Sequence, residues 1–306
     1  MCLVAFAIDA HPACPLLIAA NRDEFFARPT AALHRWMLPG GAEIIAGRDA
    51  RQGGTWLGVS PTGRVAMLTN VRQAQPAAAP RSRGELVTRW LQALASAEDF
   101  AADLVPGDYG GFNLVLGDFH AHNWHWLSNR NPDQPHTESV DQLQMRKLGA
   151  GIWGLSNASL DSPWPKLQRL KQAVHESINS LSLDTKTKAA SWQAPLMRVL
   201  SERSPAAADD LPATGVPSSL ESALSSPFVH VPAQAYGTRS SLLLRVHPAG
   251  PKQGDGWCVD LDEWTHEASA ARADQAAHAA GERNGFPESS ERVSQQLIWQ
   301  ASRQAR

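Results

Sequence analysis

The chain has 306 residues, a formal net charge of −2 and a hydrophobic share of 43%, enough for one large packed domain with an appendage. Its charges are mixed in sign with no basic stripe, so nothing marks it for nucleic acid. Three cysteines, Cys2, Cys14 and Cys258, are too few and too scattered for a disulfide framework or a zinc site, which fits a reducing compartment.

The run LVAFAI ends at Asp9 with no Lys or Arg before it, too short for a signal sequence or a membrane span. The residue after Met1 is not glycine, which removes myristoylation. The reading is therefore a soluble, cytoplasmic protein without stable membrane insertion. Cys2–Asp9 and Leu16–Asn21 read as adjacent strands joined through HPACP, where Pro12 and Pro15 break the run. Glu43–Gly47, Gly54–Ser60 and Arg64–Asn70 follow as strands, the last two linked by a PTG turn. Arg83–Ala97 has helical spacing, with Leu86, Trp90 and Leu94 on one face.

Gly111–Asp118 and His122–Asn129 form an expected hairpin, and Gly151–Asn157 a later strand. Helices are expected over Pro165–Leu181 and Ser191–Glu202, then an irregular surface excursion over 209–229, then strands at Tyr236–Val246 and Trp257–Leu261. This order does not alternate strand and helix, so it argues for antiparallel sheets with segregated helices, an α+β fold. Near Thr265 the composition turns to Ala, Arg, Gln, Ser and Glu. Residues 1–265 read as one domain and 266–306 as a partly helical or disordered tail.

Cys2 carries the sharpest chemical signal. Removal of Met1 would leave a thiol, of pKa about 8.5, beside a free α-amine of pKa about 7.7–8.0. Such an amine can serve as general base to its own nucleophile. The stretch NRDEF (Asn21–Phe25) packs polar and charged side chains at the end of the second strand. Alternation sends Asn21 and Asp23 one way, Arg22 and Glu24 the other. If that strand pairs with the first, one set converges on Cys2: a carboxylate can orient the α-ammonium, and an arginine can hold a thiolate or a substrate carboxylate. His120, His122 and His125 surround a hairpin without a third ligand at matching spacing, so they read as solvated and no metal is expected. Cys14-Pro15 reads as a turn. No Gly-rich strand-to-helix motif suggests a nucleotide site.

MC at the start, NRDE (Asn21–Glu24), GGTWLGV (Gly53–Val59), LTNVR (Leu68–Arg72), GGFNLVLGD (Gly110–Asp118), GLSNA (Gly154–Ala158) and YGTRSS (Tyr236–Ser241) fall in order along residues 1–265. Together they resemble the NRDE family, also the family of the transport and Golgi organisation 2 proteins. That family in turn is similar to the N-terminal-nucleophile (Ntn) hydrolases, and most of all to the cysteine acylases of bile-salt and penicillin V amides. The resemblance implies a four-layer αββα sandwich, two antiparallel sheets between helical layers. It also implies Cys2 as nucleophile, with Arg22 and Asp23 beside it and Asn70 as oxyanion-hole donor. The acylases space the Arg and Asp more widely, so which of Asn21, Arg22 and Asp23 faces the thiol stays open.

Asn157, Tyr236 and Arg239 are expected with Asn21 as substrate-binding residues, although Asn157 can equally close a turn and Arg239 pair with a carboxylate. The function implied is hydrolysis of a non-peptide C–N bond in a small-molecule amide, with no cofactor required. The alternative is a non-catalytic carrier of haem, acyl-CoA or lipid on the same fold.

Overall fold

Cys2–His11 (β1) is buried on both sides, which is why it reads as an unbroken apolar run and not an alternating one. Val4, Phe6 and Ile8 enter one cluster, and Leu3, Ala5 and Ala7 another. The structure, a computed structural model, describes residues 2–76, 78–137, 139–181, 189–250, 255–267, 286–287 and 289–300.

β1 pairs with Cys14–Phe25 (β2) and, on its other edge, with Gly151–Leu155 (β10). Beyond β2 lie Tyr236–Pro248 (β12), Gly256–Thr265 (β13) and Glu291–Gln300 (β14), and the short His230–Val231 (β11) adds to β12. The second sheet runs in chain order through Thr30–Met37 (β3), Glu43–Asp49 (β4), Leu57–Val59 (β5), Arg64–Asn70 (β6), Phe112–Asp118 (β7), Asn123–Arg130 (β8) and Ser139–Leu148 (β9). Neighbouring strands within both sheets are antiparallel.

Three apolar clusters order the layers. The inner faces of the two sheets meet through residues such as Phe6, Ile18, Val59, Met67, Val115 and Trp299. Gly84–Leu91 (α1) and Ala97–Ala102 (α2) cover the outer face of the second sheet through Leu86, Trp90 and Phe100. Pro165–Asn179 (α3), with its proline in the first turn, and Ala189–Leu200 (α4) cover the outer face of the first through Leu167, Leu170 and Leu196. The result is the expected α+β sandwich of two antiparallel sheets between helices. Among the described residues no helix is long and apolar enough to cross a membrane.

Four expectations change. The helix over Arg83–Ala97 is two: α1 closes at Gln92, and Ser96 caps α2 by accepting from Asp99 N at 3.0 Å. Leu94 falls in the break and is 97% exposed instead of sharing a face with Trp90. The excursion over 209–229 contains a helix, Ser218–Ala223 (α5), which buries Glu221. Strands β3 and β9 were not among those read from the sequence.

The tail set apart at 266 is not separate either. β14 extends the first sheet, and Trp299 fills the core between sheets while its Nε1 donates to Ser60 O at 2.8 Å. The stretch 268–285 and residues 301–306 lie outside the described residues.

Candidate functional site

The β1–β2 ladder begins with Cys2 directly opposite Arg22. Directly paired residues project to the same face, so the thiol and the guanidinium share the inner side of the first sheet. There they border a cavity of about 120 Å³ whose wall also includes Asp23, Arg28, Asn70 and Arg83. Cys2 is 7% exposed. Burial pushes its thiol up to about 11; the positive amino end of the chain and Arg22 draw it down, while Asp23 and Glu24 push it further up.

NRDE splits between faces as strand alternation requires. Asn21 points to the helical layer, where its Nδ2 donates to Leu200 O (2.8 Å) and Pro227 O (2.9 Å). Its Oδ1 therefore accepts, taking the Ser241 hydroxyl proton at 2.6 Å. Ser241 Oγ is then left to accept from His266 Nε2 at 2.9 Å, and Ser290 lies 2.8 Å from Nδ1. Asn21 is thus committed to joining α4 and the chain beyond β13, and does not line the cavity where substrate binding was expected of it.

Arg22 faces the cavity, 3.4 Å from Thr30 Oγ1 and 3.5 Å from Glu24. Asp23 reaches the cavity from the other side, because the described ladder ends at the Cys2–Arg22 pair. Thr238 Oγ1 donates to its Oδ1 at 2.7 Å, next to a register shift in β12. Burial pushes this carboxyl up, against the pull of Lys166, the amino end and Arg72.

Asn70 ends β6 in the opposing sheet and is brought to Cys2 by the segment after β10. Asn157 Nδ2 donates to Asn70 O at 2.9 Å, Arg72 N donates back to Asn157 O at 2.8 Å, and Ser156 Oγ donates to Cys2 O at 3.4 Å. Residues 156–157 therefore clamp the ends of β1 and β6 together across the two sheets. Asn157 positions Asn70 instead of lining the cavity, which corrects the expected substrate contact.

Tyr236 lines a second, more apolar cleft of about 420 Å³, which shares Glu24, Arg28, Asn70 and Arg83 with the first. Its phenol is pushed well above the ordinary range, chiefly by burial. Arg239 lines neither cavity. Its Nη1 donates to the carbonyls of Phe25 (3.1 Å), Phe26 (3.0 Å) and Arg28 (3.1 Å), so it fastens the turn after NRDE and corrects the expected ligand role.

Several site residues escaped the sequence reading. Lys166, in the first turn of α3, is 2% exposed and donates to Leu224 O at 2.8 Å. Burial draws it down to about 8, with Asp23 opposing. Arg72, the last residue of LTNVR, forms a buried ion pair with Glu221 and stacks over Trp164 at 4.9 Å. Arg83 reaches the cavity because Gly54, in GGTW, lets the start of α1 approach: a Cβ there would lie 2.6 Å from the Gly84 carbonyl carbon.

The three hairpin histidines do not gather: His122 pairs with Asp9 at 3.1 Å and His125 with Glu98 at 3.3 Å. A different group, His247, Cys258 and Asp260 on β12 and β13, offers three donor atoms within 4.8 Å of one another. They bond among themselves, His247 Nε2 to Asp260 at 2.8 Å and the Cys258 thiol to Asp260 at 3.6 Å, and burial with Asp260 pushes that thiol to about 12.

Residues 1–253 match the profile of the family described as Transport and Golgi organisation 2, and this span contains every motif quoted above. The chain is 36% identical to the human Transport and Golgi organization protein 2 homolog over 190 residues, 58% of this chain and 64% of that protein. The bovine homolog is 35% identical over the same shares. The Drosophila melanogaster Transport and Golgi organization protein 2 is 27% identical over 270 residues, 80% of this chain and 88% of that one. The chain thus spans 64% of the length of the mammalian relatives it matches. Among solved structures, similarity extends to the Caenorhabditis elegans N-acylethanolamine-hydrolyzing acid amidase ortholog, at 12% identity and a TM-score of 0.39 over 65% of this chain and 85% of that chain. It extends also to a C2A mutant of the conjugated bile acid hydrolase of Clostridium perfringens, at 9% identity and a TM-score of 0.37 over 81% and 89%.

Proposed function

The chain belongs to the Transport and Golgi organisation 2 family, and from that premise we propose that it hydrolyses a non-peptide C–N amide bond with Cys2 as nucleophile. On this reading Met1 is removed, and the freed α-amine takes the thiol proton. The thiolate attacks the amide carbon, and the Asn70 side chain donates to the oxyanion that forms. Collapse breaks the C–N bond, the leaving nitrogen takes the proton from the ammonium, and the acyl group stays on Cys2 as a thioester. Water, giving a proton to the amine, then releases the acid. Asp23 balances the charge of the ammonium, and Arg22 favours the thiolate.

The observation that carries this reading is the register that sets Cys2 opposite Arg22 on a cavity wall shared with Asp23 and Asn70. A nucleophile of this kind needs reduced thiol, so the activity is assigned to the cytoplasm. Release of acid from a panel of N-acyl amines by the wild type, with none from Cys2→Ala, is the expected outcome. Equal release by both overturns it.

The second reading, a carrier of acyl-CoA or haem, is favoured by two features. The apolar cleft beside the site is larger than the cavity at Cys2, and the thiol at about 11 stays protonated. Ligand binding that persists in Cys2→Ala, without turnover by the wild type, would select it.

A further inference from the structure

Arg83 lines three cavities at once: the one at Cys2, the apolar cleft beside it, and a third of about 170 Å³ bounded by Gln52, Gln73 and Arg81. Its Nη1 donates to Gly111 O at 3.1 Å and passes so close to Gly110 that a Cβ there would stand 3.4 Å away. That bond uses one of its several N–H groups.

The neighbouring guanidiniums are otherwise engaged. Arg28 bonds Asp49 at 2.5 Å and Gln52 at 2.7 Å, Arg22 pairs with Glu24 at 3.5 Å, and Arg48 lies 4.5 Å over the Trp36 ring. Among the described residues Arg83 has no carboxylate in ion-pair contact. It stands half-buried where the cavity at Cys2, lined by four arginines against Asp23, Glu24 and Asp49, meets a cleft walled by Phe25, Val71, Val216, Leu220, Leu224 and Tyr236. Burial draws its pKa down, Glu24 and the Cys2 thiol oppose that pull, and Arg28 and Arg130 add to it. A guanidinium so placed gains from a carboxylate or phosphate that arrives with a hydrocarbon chain.

We propose that Arg83 anchors the anionic group of an amphiphilic ligand whose chain lies along Val71, Leu220 and Leu224, so that the ligand class is an acylated compound bearing a carboxylate or phosphate and not a neutral amide. Only the fate of the ligand's amide bond rests on the amidase reading above; the anchoring does not.

The test uses the full chain as Cys2→Ala, with N-dodecanoylglycine, dodecyl phosphate and neutral N-dodecanoylethanolamine titrated by calorimetry. Both anionic probes, or one of them, are expected to bind about tenfold or more tightly than the neutral one. Whichever does so identifies the headgroup. Arg83→Gln is expected to abolish that preference while leaving the neutral probe's affinity unchanged, and Arg83→Lys to restore part of it.

A second readout needs no hydrolysis. In the wild type, Cys2 is expected to react with iodoacetate faster, relative to iodoacetamide, than a cysteine in a short unstructured peptide does, and that ratio is expected to fall in Arg83→Gln, where Arg22 still faces the thiol. Equal affinities for all three probes, a preference that survives in Arg83→Gln, or a peptide-like reagent ratio at Cys2 each overturn the assignment. Anion preference without hydrolysis of any amide by the wild type leaves Arg83 in place and removes the amidase instead.

Discussion

Cys2 and Arg22 stand opposite each other at the first pair of the β1–β2 ladder, so the register of one hairpin sets the surroundings of the thiol. The positive charge of Arg22 opposes the burial that holds this thiol near 11. Arg22→Ala is expected to slow alkylation of Cys2 severalfold at pH 8. The alkylation rate of Cys14 is expected to stay constant, since it lies at the far end of the same hairpin. Peptide-level mass spectrometry of the labelled protein reads both rates.

Asn70 and Asn157 divide one task. On the proposed mechanism Asn70→Ala removes the oxyanion donor, and it is expected to lower kcat by about 10²–10³ on any amide the wild type turns over. Asn157→Ala removes the 2.9 Å bond to the Asn70 carbonyl, so it displaces the donor without deleting it. A smaller loss, about tenfold, is expected, with KM changed less than kcat in both variants.

Gly54→Ala is expected to destabilise the fold by about 1–3 kcal/mol, because its Cβ would meet the Gly84 backbone, which has no side-chain freedom to yield. Urea denaturation measures the loss. Gly53→Ala, where nothing lies within 4 Å but φ is +76°, probes the separate cost of a left-handed backbone.

His266 sets an acid limit on stability. Burial and Arg203 draw its pKa from 6.5 down to about 3, so the folded chain keeps it neutral between two serines. The unfolded chain binds a proton near 6.5 that the folded one refuses, so this contribution is complete above pH 6.5 and is lost as pH falls toward 3. Its full size is on the order of a few kcal/mol. His266→Gln is expected to flatten the fall in unfolding free energy between pH 6 and 4, measured by denaturant titration.

What was legible follows from locality. Cys2, NRDE and LTN announce themselves as polar groups closing apolar strands, and doubly buried strands such as β1 and β6 read as continuous apolar runs. β9 lies at a sheet edge with most of its residues outside the core; only Leu148 is buried and Leu143 and Met145 half-buried, so its apolar alternation is short and broken by polar neighbours. β14 points Val293, Leu297 and Trp299 inward, but the Ala-rich stretch before it hides the alternation.

The buried ions were the hardest to see. Patterning assigns charge to solvent, whereas Lys166 is enclosed and Arg72 finds Glu221 149 residues away. The same distance effect redirected Asn21, Asn157 and Arg239. Asn21 and Arg239 sit on strands and Asn157 just beyond β10, yet each is spent on holding backbone.

The most direct test of the nucleophile is the intact mass and N-terminal sequence of the fraction that carries amidase activity. The expected result is a chain beginning at Cys2, with activity rising in proportion to the processed share. Full activity from chains that keep Met1, whose Cys2 nitrogen is an amide and cannot take the thiol proton, would contradict it.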